Sequence, residues 1–326
     1  MRTRYIRFLF AISFALCNVL PLQRLAAQSA PSFTVIQSLT NREIRLQLSV
    51  PSGQNYRIDA STNLPSWNSL ITLTGATTSL QYTDSAAPYL SARYYRAEQL
   101  TGTNILTGDY LNTTNGDVLI KPINHAAFVL RWQDKMIYND PGNTSSRFNG
   151  LQKADLILIS HEHGDHFNTG VIDFVRGPNA RIIVPQAALG NLTAPQQAIA
   201  IVLGYGASTN ILDLNVAAVP ATNSNHLPGF GNGYVITIGG KRIYASGDTG
   251  NIPPLRVLPN IDVAFVAMNL PFTMDATAAA DLVRAMRPKV VYPYHYSPST
   301  PTADLGLFKR LVGSDLGIEV RLRAWY

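Results

Sequence analysis

Nine residues, SHEHGDHFN at positions 160 to 168, hold three of the chain's six histidines together with two carboxylates, directly after the apolar run ADLILI. His161 and His163 are two apart, so where a strand unravels both can turn into one cleft. Gly164 is expected to allow the sharp turn that aims Asp165 and His166 at a neighbouring point. One loop can thus serve two metal ions. A helical zinc site would need histidines four apart, and residue 165 is Asp, so His161 and Glu162 do not begin that motif. Four ligand-type side chains between 161 and 166 make a merely solvated polar loop the weaker reading.

The rest of the chain narrows the donor chemistry. Its 326 residues are 46% hydrophobic and 14% charged, enough for one large core or two smaller ones. Arg2, Arg4 and Arg7 precede an apolar stretch from Phe8 to Val19, and LAAQSA at 25 to 30 offers a cleavage site after Ala27. Residues 1–27 therefore read as an export signal, and the mature chain as periplasmic or secreted. The apolar stretch is shorter than the roughly 20 residues a bilayer span needs. A lipid anchor is disfavoured because Leu16 precedes Cys17 where a small residue would be expected. Cleavage removes four arginines, Arg2, Arg4, Arg7 and Arg24, and lowers the net charge from +6 to +2. The pI near 9.4 then implies no nucleic-acid partner. Cys17 leaves with the same segment, so no disulfide is available and a metal site must be built from His, Asp and Glu.

The pattern of the mature chain changes near residue 100. Between 32 and 100, alternating runs such as EIRLQLSV, NYRIDAST and ARYYRAEQ are separated by the turn clusters PSGQ, TNLPSWN and TDSAAP, which predicts a small all-β sandwich. This stretch resembles the fibronectin-type-III-like modules of exported bacterial proteins. Trp67, Tyr94 and Tyr95 are its candidates for a carbohydrate or cell-surface contact. Residues 101–117 read as a linker. Beyond it, DVLIKPI, AAFVLRW, KMIYND, ADLILIS, ARIIVP, GYVITIGG, KRIYASG, DVAFVAM and KVVYPYHY read as strands. APQQAIAIVLGYG and DATAAADLVRAMRP read as helices, the second started by Asp275 and stopped at Pro288. The order suggests an α/β fold of two sheets packed face to face with helices outside.

His-x-His-x-Asp-His after an apolar strand, followed by GDTG at 247–250 and a histidine ending a later strand, resembles the metallo-β-lactamase superfamily over residues 105–326. The resemblance implies an αββα sandwich, a metal centre at one edge of its two sheets, and a metal-dependent hydrolase. NHAAFVL, IYNDPG, GNGYVI, MNLPFTM and YPYHY are most similar to the branch holding ascorbate-6-phosphate lactonase and the phospholipase D that acts on N-acyl-phosphatidylethanolamines. Within that frame His226, the one histidine between His166 and His295, takes the open place beside His161 and His163. Asp248 follows the strand KRIYAS and is assigned as the carboxylate shared by both sites; Asp262 opens a strand and faces the other end, and Asp275 and Asp281 belong to a helix. His295 completes the second site with Asp165 and His166, with Tyr292, Tyr294 and Tyr296 as cleft wall and packing. For His125 in PINHAAF three roles stay open: a hydrogen bond to a ligand carboxylate, a substrate contact, or core packing. Asn269 of MNLPFTM is a second candidate for an outer or substrate contact.

Two divalent ions about 3.5–4 Å apart can hold a bridging water as hydroxide near neutral pH, so hydrolysis is the expected reaction, with Asp165 and Asp248 as its carboxylates. Zinc is the default for such donors, and manganese or iron also suit them. The expected substrate is a small molecule or lipid bearing a lactone, ester or phosphodiester. Rival readings are a β-lactamase-like amide hydrolase, a mononuclear iron persulfide dioxygenase, and a non-catalytic surface-binding protein with a structural metal. A cysteine-ligand β-lactamase is excluded in a mature chain without cysteine, and Asp248 argues against the histidine-only kind.

Overall fold

The structure, a computed structural model, describes residues 31–102, 105–297 and 303–325. The expected export signal, residues 1–27 with Cys17, lies outside the described residues. The N-terminal part holds β1 (Ser32–Ser38), β2 (Ile44–Ser49), β3 (Asn55–Ser61), β4 (Asn68–Thr74), β5 (Ser79–Asp84) and β6 (Tyr94–Leu100). Strands β1, β2 and β5 form a three-stranded sheet, and β4, β3 and β6 lie side by side opposite it. Alternation drives the packing: Leu46 and Leu48 of β2 meet Tyr56, Ile58 and Ala60 of β3 in a small core. On β6 the neighbours Tyr94 and Tyr95 turn to opposite faces. Tyr94 is exposed, whereas Tyr95 packs on the core and donates to Asp84 Oδ2 at 2.9 Å. Trp67 lies under the Arg96 guanidinium, 4.7 Å from ring centroid to carbon. The three rings therefore do not share one flat face.

The segment read as a linker carries β7 (Gly108–Leu111), which pairs with β4 on one side and with β8 (Val118–Asn124) on the other. Four residues, Gly-Asp-Tyr-Leu, are too few to show an alternation, so the strand is not visible before its partners are. With β9 (Ala127–Trp132), β10 (Lys135–Asn139), β11 (Ala154–Leu158), β12 (Arg176–Val184) and β13 (Ala200–Val202), the result is one ten-stranded sheet running from the N-terminal part into the rest. A seven-stranded sheet follows: β14 (Ser208–Ile211), β15 (Leu214–Ala221), β16 (Gly231–Ile238), β17 (Lys241–Ala245), β18 (Val263–Ala267), β19 (Val290–Tyr294) and β20 (Glu319–Val320). Strands β10 to β13 and β17 to β20 are parallel. Buried on both faces, such strands read as the near-continuous apolar runs ADLIL and VAFVA.

Phe128, Tyr234, Phe265 and Tyr292 belong to the core between the two sheets, where Phe128 and Phe265 stack at 4.0 Å. Helices α1 (Thr169–Val175), α2 (Gln186–Leu189) and α3 (Ala194–Gln197) lie along the first sheet, with α1 and α2 packing into its outer core. Helices α4 (Pro253–Arg256), α5 (Ala276–Met286) and α6 (Leu305–Val312) cover the second. The architecture is the αββα sandwich. Helix α5 sits where its pattern places it: Asp275 caps it by accepting from the Ala278 N–H at 2.7 Å, and Arg287 leaves it in the left-handed region before Pro288. The helix expected from APQQAIAIVLGYG stops after α3. Its β-branched Ile201 and Val202 instead extend the first sheet as β13, hydrogen-bonded beside Ile183 and Val184.

Candidate metal centre

Every candidate side chain hangs from the C-terminal end of a strand, so the two sheets aim their loops at the same edge. The loop after β11 carries His161, His163, Asp165 and His166; the β15–β16 loop carries His226; Asp248 follows β17 and His295 follows β19. His125 follows β8, in the tight turn before β9. Asp262 precedes β18 and faces the opposite end, where it accepts from the Arg242 N–H at 2.9 Å and the Lys289 ammonium at 2.8 Å.

Two donor sets form. In the first, His163 Nδ1 lies 3.2 Å from His161 Nε2 and 3.3 Å from His226 Nε2. In the second, His295 Nε2 lies 2.8 Å from His166 Nε2 and 3.2 Å from Asp165 Oδ2. Asp248 stands between them: Oδ1 is 3.3 Å from His166 Nε2 and 3.2 Å from His295 Nε2, while Oδ2 is 3.8 Å from His161 Nε2. Ligand atoms about 2.0–2.1 Å from a tetrahedral zinc are separated by roughly 3.3 Å, the spacing seen here. Asp248 Oδ1 is fully buried and makes no hydrogen bond, although two imidazole nitrogens lie beside it. A cation between these atoms would satisfy all three, which a single shared proton cannot do. The residues present fit a metal centre.

The outer contacts turn the imidazoles toward that edge. Asp140, wholly buried at the end of β10, accepts from the Ser160 N–H at 2.7 Å and the Ser160 hydroxyl at 2.8 Å. His166 Nδ1 lies 3.0 Å from Asp140 Oδ2, and His161 Nδ1 lies 3.0 Å from Ser160 Oγ. With hydroxyl and carboxylate placed this way, His161 can donate from Nδ1 to Ser160 and His166 from Nδ1 to Asp140, which turns Nε2 of each ring toward the centre. Asn223 braces His226: its Oδ1 accepts from the His226 N–H at 3.0 Å, and its amide donates to the Asp248 carbonyl at 3.1 Å. His125 Nε2 reaches Asp165 Oδ2 at 3.1 Å, and its ring packs 4.0 Å from that of His295. Asn269 holds its own loop, with its N–H donating to Thr273 Oγ1 at 2.6 Å.

Backbone geometry is unusual at the same edge. His125, Asp140 and His295 adopt positive φ of 50°, 44° and 56°, a left-handed conformation that costs a non-glycine residue about 1–2 kcal/mol. Gly164 was expected to permit the turn of the metal loop, yet its φ is not left-handed and a Cβ there would meet open space. The glycine the loop depends on is Gly142, where a Cβ would lie 2.4 Å from the Asp165 carbonyl oxygen. Gly247, with φ of 56° and room for no Cβ beside the Asn232 carbonyl, turns Asp248 inward.

Charge follows from burial and neighbours. Burial pushes His161 well below the usual histidine range, reinforced by His166 and opposed by Asp248, and burial also lowers His226. At His166 burial is overcome by Asp248 and Asp140, which raise it well above that range. Burial works against ionisation of Asp165 and Asp248, but the surrounding histidines hold both far below the ordinary carboxylate range. The centre thus gathers ionised carboxylates beside His161 and His226, whose neutral form burial favours, which is an environment that attracts cations.

Sequence reasoning passed over Asp140, Ser160, Gly142 and Asn223. The signal for Asp140 was present, since KMIYND ends a strand in an aspartate just as KRIYASGD leads into Asp248.

Comparison with known proteins agrees with this geometry. The family described as beta-lactamase superfamily domain matches residues 119–295. A UPF0173 metal-dependent hydrolase of Thermococcus kodakarensis is 33% identical over 210 residues, covering 60% of this chain and 92% of that protein. A UPF0173 metal-dependent hydrolase of Thermus thermophilus is 30% identical over 195 residues, covering 56% and 86%. Among solved structures, the metallo hydrolase Igni18 from Ignicoccus hospitalis superimposes with a TM-score of 0.55 at 27% identity, covering 63% of this chain and 94% of that one.

Proposed function

We propose that this chain, which belongs to the beta-lactamase superfamily domain family, is an exported metal-dependent hydrolase that works with two divalent ions, zinc by preference, on a lactone, ester or phosphodiester. The family membership and the UPF0173 relatives support metal-dependent hydrolysis. One observation carries the two-ion reading: Asp248 divides its oxygens between the two donor sets and leaves Oδ1 buried without a hydrogen bond.

When bound, the ions supply Lewis acidity and acidify water, providing a nucleophile near neutral pH without Ser or Cys. The protein groups then divide the remaining work. Asp248 joins the two sets. Asp165 Oδ2, held ionised beside His125, His166 and His295, orients the attacking water. Asp140 and Ser160 keep the His161 and His166 rings fixed, so no reorientation is needed during reaction. Phe230, stacked on His226 at 5.0 Å, excludes water from one side. Export rests on the arginines and apolar stretch before Ala27, and the lactonase-like branch on the segments around His125, Asn269 and His295.

The test is elemental analysis of the purified protein coupled to a panel of lactones, esters and bis(4-nitrophenyl) phosphate, with and without chelator. Two equivalents of metal and chelator-sensitive hydrolysis are expected. One equivalent of iron with oxygen consumption on a persulfide would replace this reading by the dioxygenase one.

A further inference from the structure

Large apolar side chains stand in water around the metal centre. Leu227, next to His226, is 72% exposed, and Phe272 and Leu270 are 50% and 37% exposed. Phe230 lies 5.3 Å from the His163 ring. The two loops carrying these residues are tied together: Asn223 Nδ2 donates to the Phe272 carbonyl at 2.7 Å and Asn225 Nδ2 to the Pro271 carbonyl at 2.8 Å. Asn223 also reaches the Asp248 backbone carbonyl, and Phe230 stacks on the His226 ring at 5.0 Å, so the apolar group borders the candidate metal centre. An exposed apolar cluster beside a polar centre is the mark of a binding wall.

The charges point the same way. Segments 140–144, 159–168, 222–230, 246–252, 268–275 and 295–297, which make up this edge, contain no Lys or Arg. They do contain Asp140, Glu162, Asp165, Asp248 and Asp275. Arg256, just beyond, is bound to Asp281 at 2.5 Å. An anionic group on the substrate, out of reach of the metals, would meet mostly hydrocarbon and carboxylates; among the described residues the cations flanking these segments include Arg256, paired with Asp281, and Arg147, exposed three positions past Thr144.

Resting on the hydrolase reading above, we infer that the substrate is an uncharged carboxylic ester or lactone with an apolar acyl arm, which lies along Leu227, Phe230, Leu270 and Phe272. The oxygen of water bonds to the acyl carbon, the bond from that carbon to the alcohol oxygen breaks, and the alcohol leaves with one proton of the water. A carboxylic acid and an alcohol result, with no other reactant required.

The zinc-loaded full chain is assayed on 4-nitrophenyl acetate, butyrate and hexanoate, on the mono-4-nitrophenyl ester of adipic acid, and on bis(4-nitrophenyl) phosphate. On a half-open wall, kcat/KM should rise about twofold per methylene, roughly tenfold or more from acetate to hexanoate. The adipate ester, as long as hexanoate but ending in a carboxylate, should be about tenfold or more slower than hexanoate. Phe272→Ser and Leu227→Ser should each reduce the hexanoate-to-acetate ratio. A second readout needs no turnover: saturation-transfer NMR with hexanamide should show contact that acetamide lacks and that Phe272→Ser weakens. Rates flat with chain length, an adipate or phosphodiester faster than hexanoate, or a hexanamide signal indifferent to Phe272→Ser would overturn the inference while leaving metal-dependent hydrolysis standing. Absence of any chelator-sensitive hydrolysis would overturn the hydrolase reading, and this inference with it.

Discussion

Asp109 and Asp248 are both buried carboxylates, and they are surrounded in opposite ways. Asp109, on β7, accepts from the Tyr292 hydroxyl at 2.9 Å and from Arg323 at 2.8 and 2.9 Å, so both oxygens are engaged. Beside it, Arg321 donates to the Tyr292 hydroxyl at 2.9 Å and to Glu319 at 2.8 Å, and Glu319 accepts from Ser85 at 2.7 Å. This network closes on itself and clamps β7, β19 and the C-terminal segment to the turn after β5. Asp248 has histidines on every side but no hydrogen bond at Oδ1. Burial of charge alone therefore does not mark a working site; what marks it is convergence with the demand left open.

The comparison can be broken most severely at Asp109. Asp109→Asn leaves the half-buried Arg323 without its counter-charge and the Tyr292 hydroxyl with a weaker acceptor, and the expected loss is about 3 kcal/mol of stability by urea denaturation. The metal stoichiometry of the folded fraction should not change. A change in metal content would show that the two clusters are not independent.

At Asp248 the order of effects reverses. On the two-ion proposal, Asp248→Asn should reduce hydrolysis by more than ~100-fold and remove one metal equivalent, because loss of a direct ligand would exceed the ~10 to 100-fold typical of outer contacts. Retention of two ions and near-parent turnover would refute the shared-carboxylate assignment. Asp140→Asn, which keeps shape but removes the charge facing His166 Nδ1, should weaken metal binding by ~10 to 100-fold in a competition titration with a chelator.

Acid sharpens the contrast further. Burial opposes ionisation of Asp109 and Glu319, but Arg321 and Arg323 hold both below the ordinary carboxylate range. A depressed folded-state pKa gives stabilisation that is complete above the unfolded value, near about 4, and is lost as pH falls through the folded value. The melting temperature of the metal-free protein should fall below about pH 4, and less steeply in Asp109→Asn than in the parent. The smallest effect is expected at Asp262, whose Lys289 partner is 73% exposed: Asp262→Asn should cost no more than about 1 kcal/mol and leave both metal content and turnover unchanged.

What was legible from the chain alone is local. The apolar runs ADLIL and VAFVA announce buried parallel strands, Asp275 and Pro288 bracket a helix, and His161, His163, Asp165 and His166 mark a candidate metal loop, because side-chain period and donor type are properties of consecutive residues. The position of Asp248 and His295 after apolar runs was equally readable. Which atoms meet was not. His166 and His295 are 129 positions apart and come within 2.8 Å only because two parallel strands in facing sheets end at one edge. Asp140, 26 positions before His166, looks like any turn aspartate until β10 and β11 lie side by side. The same packing decides that Gly142, not Gly164, must lack a side chain, and that the four residues of β7 join two parts of the chain into one sheet. Contacts of this kind depend on strand order and on the gap between backbones, which no window of sequence contains.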